Sequence, residues 1–187
     1  MSFTLAIKTL FKASISNEQL MLAYAEKADS KLLSQLYDQC ADDLYHFLLS
    51  QAGSELAKDI SQLTWLKVIE KKHLYRDSGR FTAWLFTLSR HLLIDELRKS
   101  GRLCNLNDKA QLSCSSPLES SFSNIHKAFD QALRNLCFEQ RESFCLQQEG
   151  FSLVEIANIT SSPIETIKSR LRYAKASLKK QLENDHE

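Results

Sequence analysis

The sequence predicts an all-α protein built as two helical domains. Only 4 glycines and 2 prolines occur in 187 residues, so few residues can break a helix. Apolar residues recur at spacings of three and four, the period of a helix buried along one face. A single stretch without periodicity, residues 103–122, holds Asn105, Asn107, Ser113, Ser115, Ser116, Pro117, Ser120 and Ser121. It reads as a flexible linker, and the length on either side suits two compact units.

The elements follow in order. Residues 1–29 form an N-terminal extension in which Ser16 and Gln19 make a capping box, opening a helix to about Lys27. A second helix is expected from Ser30 to about Leu49, with Leu32, Leu33, Leu36, Tyr37, Leu44, Phe47 and Leu48 as its apolar positions. Gly53 punctuates, and Ser54 starts a third helix to about Lys71 with the stripe Leu56, Ile60, Leu63, Leu66 and Val68–Ile69. Asp77, Ser78 and Gly79 signal a turn. A strong helix then runs from Phe81 to about Lys99, its expected buried face being Trp84, Leu85, Leu88, Leu92 and Leu97, and Gly101 ends it. The first domain spans 30–102.

The second domain spans 123–183. Helices are expected from about Asn124 to Leu136 and from about Glu139 to Gln148, with Gly150 as a stop. Ser152 and Glu155 make a capping box for a short helix to about Asn158, and Ser162 with Glu165 makes a second one with Pro163 at the first helical position. A short helix, a tight turn and a long basic helix have the form of a helix-turn-helix. On the last helix Ile164, Ile167, Leu171, Ala174 and Leu178 should face the core. Thr166, Lys168, Ser169, Arg170, Arg172, Tyr173 and Lys175 remain for the outside, a basic, hydroxyl-bearing face suited to a DNA groove.

Net charge is +1, but its distribution is uneven. Residues 71–102 carry 8 Lys/Arg against 3 Asp/Glu, and residues 163–182 carry 6 against 1. Two basic blocks on an otherwise acidic chain point to two contacts with a polyanion. The first block interleaves Tyr75, Phe81, Trp84 and Phe86 with its cations, the mixture that opened nucleic-acid strands require. The five histidines are scattered without metal-ligand spacing, and no phosphate loop or nucleophile motif occurs. No catalytic residue, metal or cofactor is expected. Five cysteines without a C-x-x-C pair fit free thiols in a reducing compartment. No apolar run approaches the roughly 20 residues of a membrane span, and no signal peptide is read, so a cytoplasmic protein without membrane insertion is expected. The rivals are a dimeric helix-turn-helix repressor or activator, which has no use for the aromatic and basic helix at 81–102, and a helical adaptor for acidic proteins.

Several segments together carry a family resemblance. The run from Ala57 through Asp59, Gln62, Trp65 and Leu66 resembles the polymerase-binding helix in the second conserved region of sigma factors. The run Phe81–Lys99 resembles the following helix of that region, and Gly150–Ala157 with Pro163–Leu171 resembles the fourth region. Two regions joined by a short linker are similar to the extracytoplasmic-function (ECF) group of the sigma-70 family. The resemblance implies a transcription initiation factor that brings core RNA polymerase to promoters and answers to a cognate anti-sigma factor. It implies that Asp59, Gln62, Trp65 and Leu66 bind core polymerase. It implies that Tyr75, Trp84, Arg90, His91, Asp95, Arg98 and Lys99 hold the −10 element, and that Pro163, Thr166, Lys168, Ser169, Arg172 and Tyr173 read the −35 element.

Overall fold

A computed structural model describes residues 15–76, 80–101 and 124–184. Among these residues there is no strand, as the helical periodicity requires. The N-terminal half comprises α1 (Asn17–Lys27), α2 (Ser30–Ala52), α3 (Ser54–Lys71), a 3-10 turn (Lys72–Leu74) and α4 (Phe81–Lys99). The C-terminal half comprises α5 (Asn124–Arg134), α6 (Phe138–Gln148), α7 (Leu153–Thr160) and α8 (Ile164–Asn184). The expected linker, with Cys104 and Cys114, and the expected turn at residues 77–79 lie outside the described residues.

Local chemistry sets the helix ends. Ser16 Oγ accepts from Gln19 N at 3.3 Å while Gln19 Oε1 accepts from Ser16 N at 3.4 Å, closing the first capping box. Asp29 accepts from Lys31 N at 2.9 Å and starts α2. Ser152 and Glu155 close the box of α7. These caps satisfy N–H groups that a helix start leaves unpaired. The second C-terminal box does not form. Ser162 Oγ instead donates to Thr160 O at 3.3 Å and accepts from Arg170 Nη1 at 3.0 Å, and the Glu165 carboxylate accepts from Lys168 Nζ at 2.7 Å. The first helical bond of α8 runs from Ile167 N to Pro163 O, so proline's missing donor costs nothing.

The core of the N-terminal half gathers Leu20, Met21 and Tyr24 of α1, Leu36, Leu44, Phe47 and Leu48 of α2, Ile60 and Val68 of α3, and Phe81, Leu85, Phe86, Leu93 and Leu97 of α4. The buried stripe of α4 thus differs from the expected one: Phe81, Phe86 and Leu93 are inside, and Trp84, Leu88 and Leu92 are half-buried. Phe86 explains the rotation, because its ring packs tilted against Phe47 and edge-on against Phe151, at 5.1 and 5.0 Å between ring centres. Burying such a ring stabilises by about 2–3 kcal/mol.

The apolar core is continuous across the two halves. α2 packs on α6, and α4 packs on α7. In the C-terminal half α8 lies against α5, α6 and α7 and buries Ile167, Leu171, Ala174 and Leu178. Ile164, expected inside, is exposed beside the turn.

Candidate nucleic-acid and protein-docking surfaces

The first surface is a groove on α3. Tyr37, Ser61, Gln62, Trp65, Leu66 and Ile69 line a volume of about 310 Å³. Three apolar residues of the expected α3 stripe, Leu63, Leu66 and Ile69, are exposed, Leu66 by 55 %. Exposed apolar residues gathered on one face mark an interaction site. Trp65 is not on the outer rim, as the docking reading requires, but forms the floor at 7 % exposure. It packs against the Tyr37 ring 5.1 Å away, because the 3.6-residue period turns position 65 inward from 62 and 66. Its indole Nε1–H is buried without an acceptor, a cost of about 1–3 kcal/mol in a finished interior. Asp59 and Gln62 are exposed on the same helix.

The second surface is on α4. His91, Asp95, Arg98 and Lys99 are exposed along its outer side. Arg98 lies 3.9 Å from Asp95 and Lys99 lies 3.4 Å from Glu96, exposed pairs that water screens and that contribute little. Tyr75 is buried, making edge contacts with Phe81 and Trp84 at 5.9 and 5.4 Å. It therefore supports Trp84 from behind and offers no free ring face. Phe81 and Phe86 are likewise core, since rings gain more from burial than from standing in water.

Arg90 behaves differently from its neighbours. Its Nε and Nη2 donate to Glu142 Oε1 and Oε2 at 2.7 and 3.3 Å, a two-pronged pair across the two halves. The Arg90 side chain is 16 % exposed and that of Glu142 is fully buried. Burial pushes the Glu142 carboxyl up, against the downward pull of Arg90 and Arg170. Arg80 is held similarly: it donates to Gly150 O at 3.1 Å, lies 3.6 Å from Glu155, and sits over the Phe151 ring at 5.2 Å.

The third surface is the outer face of α8. Lys168, Arg172, Tyr173 and Lys175 are exposed, and Thr166 and Ser169 are half-buried beside them. Pro163 is exposed at the helix start. Arg172 lies over the neighbouring Tyr173 ring, 5.0 Å from its centre. Arg170 leaves the outer set: it is half-buried and bonded to Ser162.

Sequence reasoning missed four participants. Tyr37 and Ile69 complete the α3 groove. Glu142 reads in sequence as one more helix acid, and only the packing of α6 brings it to Arg90. Glu18 lies in the N-terminal extension, and its Oε1 accepts from Phe81 N at 3.0 Å. It supplies the start of α4 with the acceptor that Arg80, at the cap position, does not provide. Burial raises the Glu18 carboxyl, but hydrogen bonds from its own backbone, Phe81 and Ser16, with Arg80 nearby, bring it below its ordinary value. Cys40 and Cys145 are buried free thiols, and burial with Asp43 and Glu18 nearby pushes Cys40 up to about 12. A thiol so raised is not a nucleophile at neutral pH.

Comparison with known proteins gives consistent matches. The Sigma-70 region 2 family matches residues 36–103. The chain is 32 % identical over 165 residues to the ECF RNA polymerase sigma factor SigL of Mycobacterium tuberculosis, covering 83 % of this chain and 91 % of that protein. It is 28 % identical to the ECF RNA polymerase sigma factor BldN of Streptomyces coelicolor, covering 92 % of this chain and 70 % of that one. Among solved structures, the sigma factor RpoE of Bartonella quintana, in complex with the anti-sigma factor NepR, is similar with a TM-score of 0.67 at 28 % identity, covering 80 % of this chain and 96 % of that one. CnrH, solved with the cytosolic domain of CnrY, shares the fold with a TM-score of 0.66 at 20 % identity, covering 91 % of this chain and 99 % of that one.

Proposed function

This chain belongs to the ECF RNA polymerase sigma factors, and from that premise we propose how its surfaces divide the work of directing polymerase to promoters. The family is one of transcription regulators. The observation that carries the division is the α3 groove, whose exposed Leu66 and Ile69 are left for a partner outside the chain. Core RNA polymerase is that partner. Leu66 and Ile69 supply the apolar centre above the Trp65 ring that forms the floor, and Asp59 and Gln62 form the polar rim.

The N-terminal domain, residues 30–102, then holds the −10 element on α4. Trp84 presents its half-buried ring to an unstacked base, with Tyr75 behind it. Arg90, His91, Asp95, Arg98 and Lys99 contact phosphates and base edges. The C-terminal domain, residues 123–183, reads the −35 duplex with α8. Lys168 and Arg172 reach phosphates or guanine edges, and Thr166, Ser169 and Tyr173 add hydrogen bonds while Pro163 sets the helix start. Glu165 holds Lys168 in the free protein, and a phosphate can displace it because the pair is exposed. Residues 103–122 connect the domains. An anti-sigma factor is the expected regulator, supported by the partner of the similar RpoE. No described helix is long and apolar enough to cross a membrane, and a protein acting on polymerase and DNA works in the cytoplasm.

The test is transcription by purified core polymerase from a fragment library of the source genome. Start sites should appear only when the protein is added. Reversal of charge at Lys168 and Arg172 together should abolish promoter-specific starts while leaving polymerase binding intact. Polymerase binding unaffected by Leu66→Arg would remove the α3 assignment.

A further inference from the structure

The first turn of α8 carries an acid on the face proposed to read DNA. Glu165 stands with Lys168 and Arg172 on the outer side of the helix, and its side chain is 80 % exposed. An acid at a helix start ordinarily serves the helix, folding back on the cap to close a box. Glu155 does this with Ser152 at the start of α7. Glu165 does not. Arg170 Nη1 donates to Ser162 Oγ at 3.0 Å, and that hydroxyl donates to Thr160 O at 3.3 Å. The hydroxyl that would have capped α8 is thereby held by other partners. The Glu165 carboxylate turns outward instead and accepts from Lys168 Nζ at 2.7 Å.

An acid is out of place in a groove walled by phosphates unless a donor meets it there. The major groove is selective about donors. Guanine shows two acceptors and thymine one, adenine shows an amine beside an acceptor, and cytosine shows its N4 amine alone. An ionised carboxylate accepts only, so cytosine is the base that meets it without an opposing acceptor. We propose that Glu165 is a specificity-determining residue, whose carboxylate accepts from the N4 amine of one cytosine in the upstream duplex. The proposal rests on the −35 reading of α8. It completes the exchange at Lys168: a phosphate that takes the Lys168 ammonium leaves the Glu165 carboxylate in the groove without its cation. At a cytosine the carboxylate gains a donor as Lys168 departs. At another base it meets an acceptor, or Lys168 stays with it and the phosphate contact is forgone. Discrimination comes as much from rejecting the wrong base as from holding the right one. The first turn of a recognition helix is the part that contacts base edges, and Glu165 stands in that turn.

The test uses holoenzyme reconstituted from core polymerase and the full-length protein. A start site recovered from the genomic library is rebuilt with its upstream duplex randomised, and the templates that are transcribed are sequenced. The wild type should select cytosine on one strand at one position, by about fivefold or more over each other base. Glu165→Gln should move the preference at that position alone to adenine, whose N6 and N7 suit an amide. Glu165→Ala should accept all four bases there and keep the preferences at the other positions. A wild-type selection without such a cytosine, or a cytosine kept in both variants, overturns the assignment. So does a loss shared equally by every template, which is what an acid that only steadies the helix start would give. Lys168→Glu combined with Arg172→Glu, run on the same library, separates the two readings. If it leaves the upstream selection intact, α8 does not read that duplex and the Glu165 assignment goes with it. If it erases the selection while the Glu165 variants keep the cytosine, the Glu165 assignment alone is wrong.

Discussion

The exposed face of α3 and the covered face of α4 belong to the same four-helix half, yet they are finished differently. On α3 three large apolar residues stand in solvent, and an indole N–H at the groove floor has no acceptor. On α4 the Phe86 ring meets Phe151 of the C-terminal half edge-on, and Arg90 donates to Glu142 from Nε and Nη2. Exposed apolar surface has no use inside one chain, and acquires one when another molecule covers it. A buried two-pronged ion pair is complete within the chain, but its two charges were costly to desolvate. The α3 groove waits for a partner, whereas the α4 face is covered by the C-terminal half.

The largest effect that sharpens this contrast is on stability. Arg90→Met should leave Glu142 buried without its ion-pair partner and lower unfolding free energy by about 3 kcal/mol, the low end for a broken buried pair because Arg90 keeps some exposure. Lys99→Met, an exposed pair on the same helix, should cost no more than about 0.5 kcal/mol. Urea unfolding of both measures this, and equal losses would erase the distinction between the two cations. Next comes Leu66→Arg on α3. It should weaken association with core polymerase by roughly thirtyfold or more, as removal of a central apolar anchor does, with unfolding unchanged within about 0.5 kcal/mol because the side chain is exposed. A binding titration against core polymerase that shows no change would mean that the groove belongs to another partner.

Much of this was legible in the residues, and the losses have definite causes. Capping chemistry is local, so Ser16 with Gln19 and Ser152 with Glu155 announced their helices, and periodicity placed α3 and α4. The α3 stripe of Leu56, Ile60, Leu63, Leu66 and Ile69 was legible as apolar but not as divided, because periodicity does not show which side of a wide stripe lacks a neighbour. Trp84 and Phe86 looked alike in sequence, and their difference in burial comes from Phe151, 65 positions from Phe86. The Arg90 and Glu142 pair, 52 residues apart, depends on how two halves dock, which neither half encodes by spacing. Ser162 failed as a cap because Arg170, eight residues on, took its hydroxyl.

Glu18 offers a smaller effect at the other end of α4. Its carboxylate accepts from Phe81 N from 63 residues away, so the N-terminal extension fixes where the strand-opening helix begins. Glu18→Ala should cost about 1 kcal/mol, the ordinary price of a lost cap. Glu18→Gln, which keeps an oxygen acceptor, should recover most of it. Open-complex yield should follow the same order if the start of α4 matters for Trp84. Equal behaviour of the alanine and glutamine variants in both assays would mean that the bond is incidental.

The smallest expected effect is a pH dependence of the seam itself, and its sign follows from four carboxyls. Glu142 and Glu149 are both raised above the ordinary 4.5, in each case first by burial. For Glu142 this acts against Arg90 and Arg170, with Glu139 adding to the rise; for Glu149 it is reinforced by Asp43 across the cavity that Cys40 and Arg80 also line. A raised carboxyl holds its proton more tightly in the folded form. Its contribution is therefore present below 4.5 and lost as pH climbs through the raised value. Glu18 and Glu155 are lowered, burial in each being outweighed by hydrogen bonds and Arg80, so their contribution is present above 4.5 and lost as pH falls beneath it. The two pairs thus act in separate windows. Stability toward urea should rise as pH is lowered through the raised values toward 4.5, then fall below 4.5, and Glu149→Gln should flatten part of the upper rise without touching the lower fall. Stability that falls as pH is lowered toward 4.5 would mean that the charged Arg90 and Glu142 pair holds the halves together more strongly than burial of the carboxyl opposes it.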